Sequence, residues 1–312
     1  MDELIVRGRS GLGIVIVLLV ALLCASHASA SALPGRNGRI AALGGGFNFQ
    51  DTIAVVAKGG RLWRPYSSGT PEAILSDLGF SPSGTRVILT EAAGSPERSL
   101  DIYNLRRRRL EPVGTGGLSV SRPAFLANGN IVFSGGRYPS GARSGTYLAG
   151  RQGGKIRRLF GREQLAVSAD GRWFVATDRG GNFHSLFLLD RNGRQVRRLT
   201  PNPKFRYLNP SFSPNGRLIA FEMDIERPGT AADRTDIFIV RRNGRRLRRV
   251  TFSRDSSHPV FSPNGRWLAY TAGGGFGSAG NITVLPLASP RKTKQVTRIV
   301  DARFQSPTWE RR

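Results

Sequence analysis

The chain has 312 residues and a formal net charge of +26, because 47 lysines and arginines face only 21 acidic residues. Such a charge favours polyanions or an anionic envelope surface as partners, although an arginine-rich composition alone would also produce it. The only cysteine is Cys24, so the chain beyond it can contain no disulfide, thiolate metal site or cysteine nucleophile.

The N-terminus has the pattern of a secretory signal peptide. A short basic segment precedes an apolar run at 11–24, and the small residues Ala28-Ser29-Ala30 follow. The apolar run is shorter than the ~20 residues that a membrane-spanning helix needs, so a membrane anchor is the less favoured alternative. We therefore predict a signal peptide over 1–30, a mature start at Ser31 or Leu33, and a secreted, periplasmic or cell-envelope location.

A repeated unit occupies the rest of the chain, and its clearest copies are 210–221 and 259–270. Aligned copies share a turn glycine, found at Gly38, Gly84, Gly129, Gly171, Gly216 and Gly265. The spacings are 46, 45, 42, 45 and 49 residues. A period near 45 is typical of a four-stranded propeller blade.

Each unit is predicted to form four short β-strands. In the fifth unit these are the Pro-x-Phe segment 210–212, the apolar segment 218–221, the segment 236–240 and a strand that ends at 250–251. The Asn-Gly pair between the first two segments predicts a hairpin turn in which both residues take positive φ. No sustained helical period follows the N-terminal segment.

The fold class is therefore predicted as all-β, a six-bladed β-propeller spanning 31–312. The predicted blades lie near 34–70, 78–114, 122–161, 164–200, 209–251 and 258–299. The first unit lacks a Pro-x-Phe strand, and the missing strand recurs at the C-terminus. We expect segment 304–312 to complete blade 1 and close the ring, which leaves only short, protected edges.

The repeated unit resembles the WD-repeat-like units of the TolB-type β-propeller family in three features. These are the Phe-Ser-Pro-Asn-Gly-Arg run, a third strand such as 236–240 and the Leu-Thr or Val-Thr ending. The resemblance covers about 34–312, the propeller part of that family only, and is strongest in blades 5 and 6. It implies the propeller fold. It does not specify an activity, because one fold hosts many functions.

Arginines concentrate at the turns that join the first to the second strand and the third to the fourth strand of each unit. We interpret these turns as one face of the disc, a candidate polyanion-binding surface, although charged outer strands also discourage edge-to-edge aggregation. The candidate residues are Arg106, Arg107, Arg108, Arg109, Arg157, Arg158, Arg197, Arg198, Arg241, Arg242, Arg245, Arg246, Arg248 and Arg249.

Acidic residues and both remaining histidines fall mostly in or beside the opposite loops, the candidate face for a ligand or partner. The candidate residues there are Asp178, His184, Asp224, Glu226, Asp233 and His258. Acids within 224–236 could bind Ca²⁺ through oxygen ligands, but their spacing is not that of a calcium loop. Neither histidine has metal-ligand spacing.

These features favour an exported, monomeric, non-enzymatic binding or scaffold propeller without a cofactor. Its predicted partners are a protein or ligand at the loop-rich face and an anionic envelope polymer or membrane surface at the basic face. Sequence-specific nucleic-acid binding is not expected, because the basic turns lack interleaved aromatic residues. The alternative is a propeller hydrolase or lyase with a metal at the channel mouth.

Overall fold

The structure is a computed structural model that describes residues 36–45, 52–56, 62–68, 73–93, 97–138, 140–163, 165–177, 185–201, 205–225, 234–273, 280–297 and 303–311. These residues form 24 strands in six four-stranded antiparallel sheets, so the fold is all-β. Among them, no helix is long and apolar enough to cross a membrane. The predicted signal peptide lies outside the described residues.

Each sheet is one blade, and the strands of each blade are named from the innermost outward. Blade 1 consists of β24 (Arg303–Arg311), β1 (Asn37–Gly45), β2 (Thr52–Val56) and β3 (Leu62–Ser67). Blade 2 consists of β4 (Ala73–Phe80), β5 (Arg86–Ala93), β6 (Ser99–Asn104) and β7 (Arg109–Pro112). Blade 3 consists of β8 (Ser119–Phe125), β9 (Ile131–Gly136), β10 (Gly145–Ala149) and β11 (Arg157–Phe160).

The second half of the ring repeats this order. Blade 4 consists of β12 (Ala166–Val167), β13 (Trp173–Thr177), β14 (Leu186–Asp190) and β15 (Gln195–Arg198). Blade 5 consists of β16 (Tyr207–Phe212), β17 (Leu218–Asp224), β18 (Thr235–Arg241) and β19 (Arg248–Arg249). Blade 6 consists of β20 (Ser256–Phe261), β21 (Trp267–Ala272), β22 (Asn281–Pro286) and β23 (Lys294–Gln295). Innermost strands of neighbouring blades pack together, as β4 does with β8 and β20 with β24.

The C-terminal strand β24 completes blade 1, which confirms the predicted ring closure. Glu310 holds this junction, because its Oε1 lies 2.7 Å from Nη2 of Arg39 and its Oε2 accepts hydrogen bonds of 2.9 Å from Nε and the backbone N–H of Arg39. A Cβ at Gly38 would lie 2.6 Å from Glu310 Oε2, so only glycine leaves room for this bidentate pair. The ring of Phe304 is fully buried in the adjoining core.

The inner turns explain the Ser-Pro-Asn-Gly motif. In blade 5 the Gly216 N–H donates to the Ser213 carbonyl at 2.8 Å, Ser213 Oγ donates to Asn215 Oδ1 at 2.9 Å, and the Leu218 N–H donates to Ser213 Oγ at 2.9 Å. Within this turn, only Gly216 has a positive φ angle, of 64°. The prediction that both Asn215 and Gly216 take positive φ is therefore wrong. Serine, proline and asparagine instead occupy the first three positions of a common four-residue turn, and glycine occupies the fourth.

The Leu-Thr and Val-Thr endings also have a local explanation. Thr251 Oγ1 accepts a 2.8 Å hydrogen bond from the backbone N–H of Ile237, near the start of the third strand of its own blade. Thr200 does the same for Leu186 at 3.0 Å. The threonine thus satisfies a buried N–H of the third strand, where an unpaired donor would be costly.

Candidate binding surfaces

The antiparallel strands divide the turns between two faces of the disc. The basic face contains the turns between the first and second strands and between the third and fourth strands, such as 213–217 and 241–248. The loop face contains the loops between the second and third strands and the connections between blades, such as 137–144 and 250–255.

The outer turn of blade 5 and the strand ends beside it carry six arginines between residues 241 and 249. Arg241, Arg245, Arg246 and Arg248 are exposed, and none of them forms an ion pair with a described residue. The turn itself is ordered by Asn243, whose Oδ1 accepts the backbone N–H of Arg245 at 3.1 Å. Of these four guanidinium groups, that of Arg248 donates from Nη2 to the Leu287 carbonyl at 3.4 Å. Those of Arg241, Arg245 and Arg246 are presented to solvent on a fixed hairpin.

In three blades the second arginine of the recurrent pair contacts its own blade. Arg249 Nη2 donates to Asp236 Oδ2, and its Nε donates to the Thr251 carbonyl at 2.9 Å. The equivalent guanidinium groups bind Ser185 Oγ and the Ser144 carbonyl. The second arginine of each pair thus recurs because it contacts its own blade. These second arginines are Arg158, Arg198 and Arg249.

The remaining candidate arginines lie on the outer strands and turns of blades 2 to 5. The run Arg106, Arg107, Arg108 and Arg109 is exposed, as are Arg157 and Arg197. Arg242 is half-buried, with its guanidinium 4.5 Å from the centroid of the Trp173 ring in blade 4. The basic face therefore combines solvent-exposed arginines with a few that pack against protein.

Few of the candidate loop-face residues can be placed. Asp178, His184, Glu226 and Asp233 lie outside the described residues. Asp224 is 3% exposed, and its Oδ2 lies 3.5 Å from Nε of Arg206. His258 is 2% exposed within β20. Within the described ranges, no group of three or more His, Cys, Asp or Glu side chains is arranged to hold a metal.

The innermost strands share a feature that the sequence did not indicate. Five of them contain one residue with φ between 46° and 57°, located where the pairing with the second strand shifts register. Bulges of this kind leave a backbone N–H outside the ladder. The residues are Asp77, Arg122, Asn209, His258 and Ser306.

Two buried carboxylates accept these N–H groups across blade boundaries. Asp77 Oδ2 accepts the backbone N–H of Arg122 at 3.0 Å. Glu222 Oε1 accepts the backbone N–H of His258 and, at 2.7 Å, the side-chain amide of Asn209. Each carboxylate thereby links the inner strands of two blades.

The buried environment of Glu222 changes the pKa of its carboxyl group. Burial raises the pKa of Glu222 to about 7, although the hydrogen bonds from His258 and Asn209 act in the opposite direction. A carboxylate in a low-dielectric site loses the hydration that favours its charged form. Glu222 therefore titrates near neutrality on β17, where it contacts the innermost strands of blades 5 and 6.

Solved structures with the same fold come from several proteins. TolB from Acinetobacter baumannii has 18% sequence identity and a TM-score of 0.69, with 90% of this chain and 68% of that chain covered. The putative TolB from Agrobacterium tumefaciens has 17% identity and a TM-score of 0.62, covering 87% and 98%. A chain of the nidogen/laminin complex has 13% identity and a TM-score of 0.65, covering 87% and 97%.

These similarities confirm the resemblance to the TolB-type propeller at the level of the fold. No protein-family model and no curated protein sequence matches the chain.

Proposed function

We propose that the chain is an exported, non-enzymatic binding propeller of the cell envelope. Its basic face docks on anionic polymers or headgroups, and its loop face with the channel mouth binds a protein or ligand. The observation that carries this proposal is the exposed blade 5 hairpin, where four arginines form no ion pair with described residues. Clustered cations of this kind raise the local concentration of polyanions and accelerate their association.

A protein partner is supported by the fold comparison and by the architecture. One of the similar propellers was crystallised in the nidogen/laminin complex. Loops on a rigid propeller can vary without disturbing the ring, and binding residues are disproportionately found on such loops. The loop face is therefore the surface on which we expect a folded partner to bind.

The salt dependence of polyanion binding tests the basic face. Substituting Arg241, Arg245 and Arg248 with Gln and Arg246 with Asn, which tolerates its φ of 58°, should flatten the slope of log K against log salt for heparin. Each engaged arginine contributes roughly 0.7–0.9 to that slope through counterion release. The melting temperature should hardly change, because exposed charges contribute little to stability.

A matched control removes the same charge from the loop face. Four arginines described on the loop face are likewise exposed: Arg137, Arg143, Arg234 and Arg254. The control protein should keep the wild-type salt slope. If both quadruple variants lose the same slope, the net charge of the chain and not the basic face determines binding, and the proposal fails.

A further inference from the structure

A cavity of about 390 Å³ lies where the connection from blade 5 meets the outer part of blade 6. This volume falls within the range of roughly 300–1,000 Å³ that is typical of small-ligand sites. The lining residues that matter here are Thr251, Phe252, Ser253, Tyr270, Arg291 and Thr293.

An aromatic ring is exposed at this cavity. Phe252 is 55% exposed, more than any other large hydrophobic side chain of the described residues. Two guanidinium groups lie near its ring, that of Arg249 at 5.1 Å from the centroid and that of Arg291 at 5.8 Å. Aromatic rings offer a large, rigid contact surface at low entropic cost, so Phe252 can stack against a flat apolar face of a ligand.

The two arginines differ in what they can offer a ligand. Arg249 is already bound to Asp236, which is fully buried and also accepts a 2.8 Å hydrogen bond from Thr251 Oγ1. Arg291 is exposed and forms no ion pair with any residue in the described part of the chain. Its guanidinium can bind a carboxylate or phosphate in a bidentate manner.

Hydroxyl groups complete the lining. The hydroxyls of Thr251 and Ser253 are engaged within the protein. Thr251 Oγ1 accepts the backbone N–H of Ile237, and Ser253 Oγ lies 2.9 Å from Ser256 Oγ. Tyr270, which is 4% exposed, and Thr293 also line the cavity, and both carry a hydroxyl group. Burial and then the charges of Asp255 and Asp236 raise the pKa of Tyr270 to about 12, so its phenol remains a hydrogen-bond donor at neutral pH.

We propose that this cavity binds an anionic sugar. The carboxylate or phosphate of the sugar pairs with Arg291, an apolar C–H face stacks on Phe252, and the sugar hydroxyls bond to Tyr270 and Thr293. The site goes beyond the proposed function, because a concave cavity at the junction of two blades recognises a single sugar independently of the blade 5 hairpin.

Calorimetric titration of the purified chain tests the site with four probes: glucuronate, glucose 6-phosphate, glucose and inorganic phosphate. At least one anionic sugar should bind about tenfold or more tightly than both glucose and phosphate. Comparing the affinities of glucuronate and glucose 6-phosphate shows whether the site prefers a carboxylate or a phosphate as the anionic group. Binding of phosphate or of glucose as tightly as the tighter-binding anionic sugar, or no binding of either anionic sugar at millimolar concentration, would overturn the proposal.

Substitutions then locate the binding. Phe252→Ala and Arg291→Gln should each weaken the anionic sugar about tenfold or more, without a change in melting temperature, because both side chains are exposed. Arg172→Gln is the matched control, since this arginine side chain is 77% exposed on the turn of another blade. Equal weakening by all three substitutions, or none by the first two, would contradict the assigned site.

Discussion

Deletion of residues 304–312 is expected to prevent cooperative folding of the propeller or to lower its melting temperature by many degrees. The deletion exposes the hydrogen-bonding edge of β1 and removes the Glu310 carboxylate that binds Arg39 in two places. It also removes the fully buried ring of Phe304, whose truncation alone costs about 3–5 kcal/mol. Thermal unfolding followed by circular dichroism measures the effect.

A pair of point variants keeps this test interpretable if the truncated protein does not fold at all. Phe304→Ala should lower the melting temperature strongly, whereas Phe252→Ala removes an equally large ring that is 55% exposed and should have little effect. Equal effects of the two substitutions would show that the closing strand contributes no special stability.

Glu222→Gln is expected to flatten the dependence of stability on pH between about 4.5 and 7. The pKa of Glu222 is about 7 in the folded protein against an ordinary value of 4.5, so the folded state binds the proton more tightly than the unfolded state. Glu222 therefore contributes about 3 kcal/mol to the free energy of unfolding below pH 4.5, and this contribution is lost as the pH rises through 7. Glutamine has no proton to lose over this range.

Denaturant unfolding at several pH values measures the difference between the wild type and the variant. Thr271→Val is a suitable control, because Thr271 occupies the position of blade 6 that Glu222 occupies in blade 5 and carries no charge. The control should keep the wild-type pH dependence. A Glu222→Gln protein that loses stability with pH as steeply as the wild type would refute the assigned role of this carboxyl group.

The repeat was predictable because its signals are local. Ser213, Asn215 and Gly216 order one turn through bonds among close neighbours, so their spacing recurs wherever the turn recurs. The incomplete first unit and the Ser-Pro-Thr-Trp segment near the C-terminus were sufficient to predict closure. The φ angle of Asn215 was not predicted correctly, because Asn-Gly pairs occur in more than one type of turn.

The bridging roles of the buried carboxylates Asp77 and Glu222 could not be predicted in the same way. Glu222 reaches the N–H of His258, 36 residues later and in the next blade, and this contact depends on a register shift that the residue pattern does not mark. The arginine pairs are ambiguous for a similar reason. Adjacent residues of a strand point to opposite sides, so Arg248 remains exposed while Arg249 binds Asp236.

Chemical protection of arginines tests the two-faced binding surface most directly. Phenylglyoxal modification of the wild-type protein, read by mass spectrometry with and without heparin at low salt, reports which guanidinium groups a polyanion covers. The exposed arginines within 106–109 and 241–248 should be protected by heparin, while Arg137, Arg143 and Arg254 on the loop face should react at unchanged rates. Uniform protection of both faces, or protection confined to the loop face, would contradict a polyanion-docking basic face.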